Sequence, residues 1–152
     1  MKISLYSIEK SVSKDIQNLS NEFIKMSSRF AKIKEFAIFN NQIAAAQNSS
    51  VSAAKNSYTK AYEPFCKGFT IALDVNGKSV NSYEFSDLFK NENDVRFFIG
   101  GAFGFENEFL DKCNKVISLS ELTFAHKIAK VVLLEQIYRA LCIQNNHPYH
   151  KE

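Results

Sequence analysis

Residues 95–104 read Val-Arg-Phe-Phe-Ile-Gly-Gly-Ala-Phe-Gly. The first five are apolar except for Arg96, and a short run of this kind fits a strand covered on both faces. The run stops at glycine: three of the chain's five glycines are Gly100, Gly101 and Gly104. Glycine tolerates positive φ and lets backbone approach a ligand closely. In open parallel sheets, ligands bind beyond the carboxyl ends of the strands. The segment therefore reads either as a ligand cradle or as a tight strand-to-helix turn with nothing bound. Glycine spacing alone does not separate the two.

Outward from this segment, strands are predicted at 2–8 (KISLYSI), 33–39 (IKEFAIF), 69–75 (FTIALDV) and 115–119 (KVISL). Helices are predicted between them. Val12, Ile16, Leu19, Phe23, Met26 and Phe30 recur at alternating spacings of 4 and 3, which lays one apolar stripe along a helix. Ser11 is the expected cap of that helix. Residues 40–65 read as mostly helical, with a weak point at Asn48-Ser49-Ser50 where short polar side chains compete for backbone hydrogen bonds. The start of that region reads equally as a loop. Asn76-Gly77 is a turn signal. Shorter helices are expected at 82–89 and 107–113, and a long one at 124–143 whose apolar residues cover nearly every side. This alternation implies an α/β fold over one domain, residues 1–152, with a mostly parallel sheet flanked by helices.

Composition narrows the function classes. A chain of 152 residues, 45% hydrophobic and 23% charged, can bury a sizeable core. No apolar run is long enough to span a bilayer, and the N-terminus lacks a signal peptide, so a cytoplasmic protein is expected. Cys66, Cys113 and Cys142 lie far apart with no CxxC spacing, which reads as reduced thiols serving as small hydrophobes. A net charge of +3 is weak for a duplex-DNA binder. The GGxxG spacing matches neither the dinucleotide fingerprint nor a phosphate-binding Walker loop, which disfavours nicotinamide cofactors and nucleoside triphosphates. No metal site is expected, since His147 and His150 have no third ligand nearby.

Two further segments carry chemistry. On the long helix, Glu135 and Arg139 stand four apart. They read as an intrahelical pair in its favourable order, or as an Arg139 that faces a subunit interface or an anionic substrate. Earlier on that helix, His126, Lys127 and Lys130 share one side. The tail His147-Pro148-Tyr149-His150-Lys151 packs two imidazoles, a phenol and an ammonium group into five residues. Base stacking, phosphate contact and proton transfer are all within its reach.

Four ordered motifs carry a resemblance. Gly100-Gly101-Ala102-Phe103-Gly104, the segment Leu119-Ser120-Glu121-Leu122-Thr123-Phe124-Ala125-His126, the segment Leu134-Glu135-Gln136-Ile137-Tyr138-Arg139-Ala140 and the terminal Pro148-Tyr149-His150-Lys151 resemble the bacterial rRNA pseudouridine-N3 methyltransferases of the SPOUT superfamily. The resemblance spans the whole chain and is tightest in the last third. It implies an α/β SPOUT fold with a C-terminal trefoil knot, a homodimer, and S-adenosyl-L-methionine as cofactor. The implied substrate is N3 of a pseudouridine in 23S rRNA of the 70S ribosome, with no role for DNA, membrane or metal. Carried over by position, Leu73, Gly100, Leu119, Ser120, Glu121, Leu122, Thr123 and Phe124 would hold the cofactor. Arg139, Tyr149 and His150 would be catalytic, and His126 and Lys151 would contact RNA. The sequence departs from the family pattern at Ala125, where proline is common, at Lys130, where arginine is frequent, and at Asn145-Asn146, which replaces a basic residue and a glycine. The competing expectations are a SPOUT enzyme acting on tRNA, a ribosome-associated RNA-binding dimer without catalysis, and an unrelated flavodoxin-like binder.

Overall fold

The computed structural model describes residues 1–151. Five strands, β1 (Lys2–Ile8), β2 (Lys32–Ile38), β3 (Phe69–Ser79), β4 (Asp94–Ile99) and β5 (Lys115–Ser118), form one sheet in the order β2-β1-β4-β3-β5. Every pairing is parallel, so each connection must cross over a face and both faces are covered. On one face lie α1 (Lys14–Ser27), α4 (Ser82–Asp87) and α6 (His126–Gln144). On the other lie α2 (Asn41–Ser49), α3 (Val51–Tyr62) and α5 (Asn107–Lys112). The pleat explains why residues 95–99 are apolar throughout. Phe97 faces Phe85, Phe89 and the α6 leucines, while its neighbour Phe98 faces Tyr62 and Phe109.

Helix limits follow local chemistry. Ser13, not the expected Ser11, caps α1 through the Ile16 amide, so Val12 of the apolar stripe lies before the helix. The weak point at Asn48-Ser49-Ser50 is a real break. Ser50 ends α2, takes an extended conformation, and caps α3 by accepting from the Ala53 amide at 3.0 Å. The start of this region is helical, capped by Asn40.

Asn76-Gly77 corrects the sequence reading, because it does not end the strand. β3 continues to Ser79, and its pairing with β5 jumps from Leu73↔Ile117 to Lys78↔Ile117, so residues 74–77 arch out of the ladder. The Asn76 amide donates to Asp74 Oδ1 inside the arch. A Cβ on Gly77 would lie 2.6 Å from the Ile117 carbonyl carbon. This glycine serves a close return of backbone to backbone.

α6 is fixed by a contact that periodicity does not reveal. Lys130 shares a helix face with His126, yet its ammonium is buried and meets Glu9 Oε2 at 2.8 Å, just past the end of β1. Glu35 Oε1 on β2 stands 3.8 Å from the same nitrogen. Ser7 donates to Glu9, and Gln17 donates to Glu35. Removing one partner of a buried pair strands the other charge. Lys130→Met should therefore cost about 3–5 kcal/mol in urea unfolding, and adding Glu9→Gln should recover much of that loss. A single variant as stable as wild type would show that the pair does not anchor α6.

Candidate cofactor cleft and tail cluster

The arch of β3, the loop after β4 and the segment after β5 meet at the carboxyl end of the sheet and enclose a cleft of about 400 Å³. That volume lies in the range of small-molecule sites. Leu73, Gly100, Leu119, Ser120, Leu122, Thr123 and Phe124 line it, and His126 with Ala129 closes the side formed by the start of α6. Of the predicted cofactor residues, Glu121 alone is not part of the lining; it is exposed at the lip. The sequence reading missed Asp74, Val75, Phe105 and Ala129. Asp74 and Val75 enter through the arch, which the turn reading hid.

The loop after β4 is shaped from below. Gly104 takes φ +80, the left-handed region where a side chain is strained. A Cβ on Gly101 would lie 2.6 Å from Tyr58 Cζ. On α3, Tyr62 donates its hydroxyl to the Ile99 carbonyl at 2.6 Å, holding the end of β4. The opposite lip is set by Ser118 donating to the Ser120 carbonyl and by Ser120 Oγ accepting from the Leu122 amide. Leu122 is 71% exposed, leaving an apolar side chain at the mouth of the cleft.

Among the described residues the lining carries one carboxylate, Asp74, and contains no lysine or arginine. A phosphate-bearing nucleotide would find no cation there, whereas a ligand with apolar, hydrogen-bonding and cationic parts matches the walls. S-adenosylmethionine is such a ligand. Leu119, Leu122 and Phe124 could enclose its adenine, and Ser120, Thr123 and strand-end backbone could take its polar edges.

The tail residues assemble elsewhere. α6 ends with Asn146 at φ 54, and the His147 amide bonds back to the Cys142 carbonyl at 2.9 Å, while the Asn146 amide reaches Ile143. This is the left-handed helix stop in which asparagine can stand for glycine. It turns the chain so that Tyr149 packs edge-on against Tyr138 and donates to Glu135 Oε1 at 3.0 Å. Arg139 pairs with Glu135, lies 4.8 Å over the Tyr149 ring, and places Nη1 3.2 Å from His150 Nδ1. The intrahelical pair exists, and the tail is folded onto it. Burial, together with the bond to Glu135, raises the Tyr149 hydroxyl above its ordinary value, so at neutral pH it serves as a donor. Lys151 is exposed beside this cluster. Neither Arg139, Tyr149, His150 nor Lys151 lines the cleft of its own chain. Among the described residues no cluster could hold a metal ion, and no helix is long and apolar enough to cross a membrane.

A parallel α/β sheet with a cleft at its carboxyl end between two loops, followed by a closing helix, is the plan of a SPOUT methyltransferase. A family model described as "Predicted SPOUT methyltransferase" matches residues 1–150. Ribosomal RNA large subunit methyltransferase H of Aliarcobacter butzleri is 56% identical over 99% of this chain and 100% of its own length. The protein of the same name from Campylobacter concisus is 50% identical over the same shares. The chain belongs to this family, the ribosomal RNA large subunit methyltransferases H of the SPOUT class. Among solved structures, the SpoU methyltransferase AviRb from Streptomyces viridochromogenes, in complex with AdoMet, shares 10% identity at a TM-score of 0.47, over 95% of this chain and 60% of that one.

The cysteines take no part in either cluster's chemistry. Burial pushes the Cys113 thiol from 9.0 up to about 12, and raises Cys66 and Cys142 as well. A thiol whose folded value lies above its unfolded value stabilises the fold below the unfolded value, and that contribution fades as pH climbs from 9 towards 12. At pH 8 the folded protein should therefore resist iodoacetamide at Cys113, while the denatured chain takes up label at all three cysteines. Peptide mass spectrometry reads the difference.

Proposed function

We propose that this protein transfers the methyl group of S-adenosylmethionine to N3 of a pseudouridine in large-subunit rRNA, acting in the cytoplasm as a homodimer on the assembled ribosome. One observation carries the reading: a cleft at the strand ends built largely from the segments 100–104 and 119–124, in a chain matching full-length relatives named for large-subunit rRNA methylation. The N3 position, the pseudouridine and the trefoil threading of the C-terminal segment rest on the resemblance of the terminal motifs. The bound cofactor would supply an electrophilic methyl group in the cleft.

The work of the protein's own groups is orientation and proton handling. An imide N3–H is weakly acidic, so its nitrogen becomes nucleophilic as the proton leaves. Donors directed at the flanking carbonyls would stabilise the charge that develops. Arg139 and the Tyr149 hydroxyl are donors of this kind, and His150 beside Arg139 is the candidate proton acceptor. Lys151 and His126 would meet RNA phosphate or base edges. Holding N3 in line with the methyl group supplies much of the acceleration.

Arg139 lies ten residues beyond Ala129, the last cleft residue on α6, about 15 Å along a straight helix. This separation, with none of the tail residues in the cleft lining of their own chain, supports completion by a second copy, each tail serving the partner's cleft.

The first test is labelled methyl transfer to 70S ribosomes lacking the modification, with mass spectrometry of the digested rRNA. N3-methylpseudouridine in the large-subunit RNA is expected; cofactor binding with methylation of tRNA instead would overturn the substrate. His150→Ala should lower transfer by roughly 10²–10⁴-fold and leave cofactor affinity unchanged in calorimetry. Equal losses in both would remove His150 from the chemistry. A mixture of His150→Ala and Gly100→Leu subunits should regain activity that neither has alone, because one composite site in each mixed dimer is intact. No recovery would refute completion in trans.

A further inference from the structure

We propose that Tyr58 is a positioning residue for the cofactor cleft: its ring and hydroxyl hold the 100–104 loop open, and Gln47 on α2 sets the hydroxyl. The proposal rests on the reading of the cleft as the S-adenosylmethionine site.

Tyr58 has no exposed surface, so its polar atom must find partners inside the protein. The hydroxyl donates to Gln47 Oε1 at 2.7 Å. Burial pushes this hydroxyl up, and the backbone amides of Phe103 and Ala102 pull it back by facing its oxygen. The tyrosine is thus bonded to α2 through its hydroxyl while its ring sits directly beneath the loop. The ring lies against Gly101, where an added Cβ would approach Cζ at 2.6 Å and Cε2 at 2.7 Å. Gly101 is required by the tyrosine beneath it, whatever a ligand above it needs.

The helix break at Ser50 makes this arrangement. In one continuous helix, Gln47 and Tyr58 would stand eleven residues apart, about 16 Å along the axis. Because α2 stops at Ser49 and α3 restarts on the Ser50 cap, the two side chains meet. Tyr58 and Tyr62 are four apart on α3 and share a face. Tyr62 grips the last carbonyl of β4, and Tyr58 supports the loop that follows. Since Gly101 and Ala102 line the cleft, the position of the cleft's floor is set by α3.

A space-filling role and a positioning role predict different results for Tyr58→Phe, which keeps the ring and removes only the hydroxyl. Thermal unfolding should change little, while amide hydrogen exchange at Ala102 and Phe103 should accelerate. Calorimetry with S-adenosylhomocysteine should show affinity about tenfold weaker, the size of one lost hydrogen bond, and KM for the methyl donor should rise with kcat nearly unchanged. Gln47→Leu should reproduce this pattern, and Gln47→Glu, which keeps an acceptor oxygen, should restore the wild-type values. Wild-type affinity together with wild-type exchange in Tyr58→Phe would overturn the proposal. If wild-type protein binds no S-adenosyl compound, the cofactor reading falls, and exchange in the unliganded protein still decides: faster amides in Tyr58→Phe support the hold on the loop, and equal rates refute it.

Discussion

The contact between Lys130 and Glu9 is the constraint that orders the rest. Both side chains are almost completely buried, and charges taken out of water are tolerated only where partners are in place. α6 is apolar on most of its surface, so hydrophobic burial alone would let it slide or rotate between α1 and α4 at little cost. One ammonium group facing carboxylates from β1 and β2 removes that freedom. Once the first turns of α6 are pinned, His126 and Ala129 must stand at the cleft. The segment 119–125 must span from the end of β5 to that point, and its short path makes it the lip. The opposite end of α6 then determines where the tail turns back.

This contact also marks the limit of what the sequence discloses. Strand residues 95–99, the stripe on α1 and the break at Ser50 were legible because each signal is local: alternation, periodicity, capping. Lys130 and Glu9 are 121 positions apart, and β3, α4 and β4 all lie between Tyr58 and Gly101. No periodicity encodes such pairs. Asn76-Gly77 was misread for a related reason. The dipeptide carries a genuine local preference for a turn, but β5 lies close enough that glycine is needed for backbone approach, and tertiary packing decided its role.

The site divided along the same line. The 100–104 glycines stood out because a parallel sheet binds ligands beyond its strand ends, whereas Leu73 and the 119–124 segment were reached only through the family resemblance; all but Glu121 line the cleft. The tail was conspicuous only in composition. That Tyr149 and His150 would be gathered on Glu135 and Arg139, outside the cleft lining of their own chain, depends on the left-handed Asn146. Asparagine there looked like a departure from glycine and is conformationally its substitute.

The separation of cleft and tail answers an electrostatic conflict. A cationic sulfonium ligand is best received where arginine and lysine are absent, and among the described residues the cleft has Asp74 as its one fixed charge. An RNA substrate needs cations to meet phosphate and donors to meet base carbonyls. Both requirements in one unligated pocket would set Arg139 and Lys151 against the incoming sulfonium. In each chain the cationic tail is instead held on Glu135, outside the cleft lining and about 9 Å along α6 beyond Ala129, the last cleft residue on that helix. Under the proposed dimer, the two come together only across the interface, where rRNA can lie between them. Glu135 then has a second role beyond pairing: it keeps Arg139 and Tyr149 oriented and partly neutralised while no RNA is present, so the tail is pre-ordered for its substrate without lining the cofactor's pocket with positive charge.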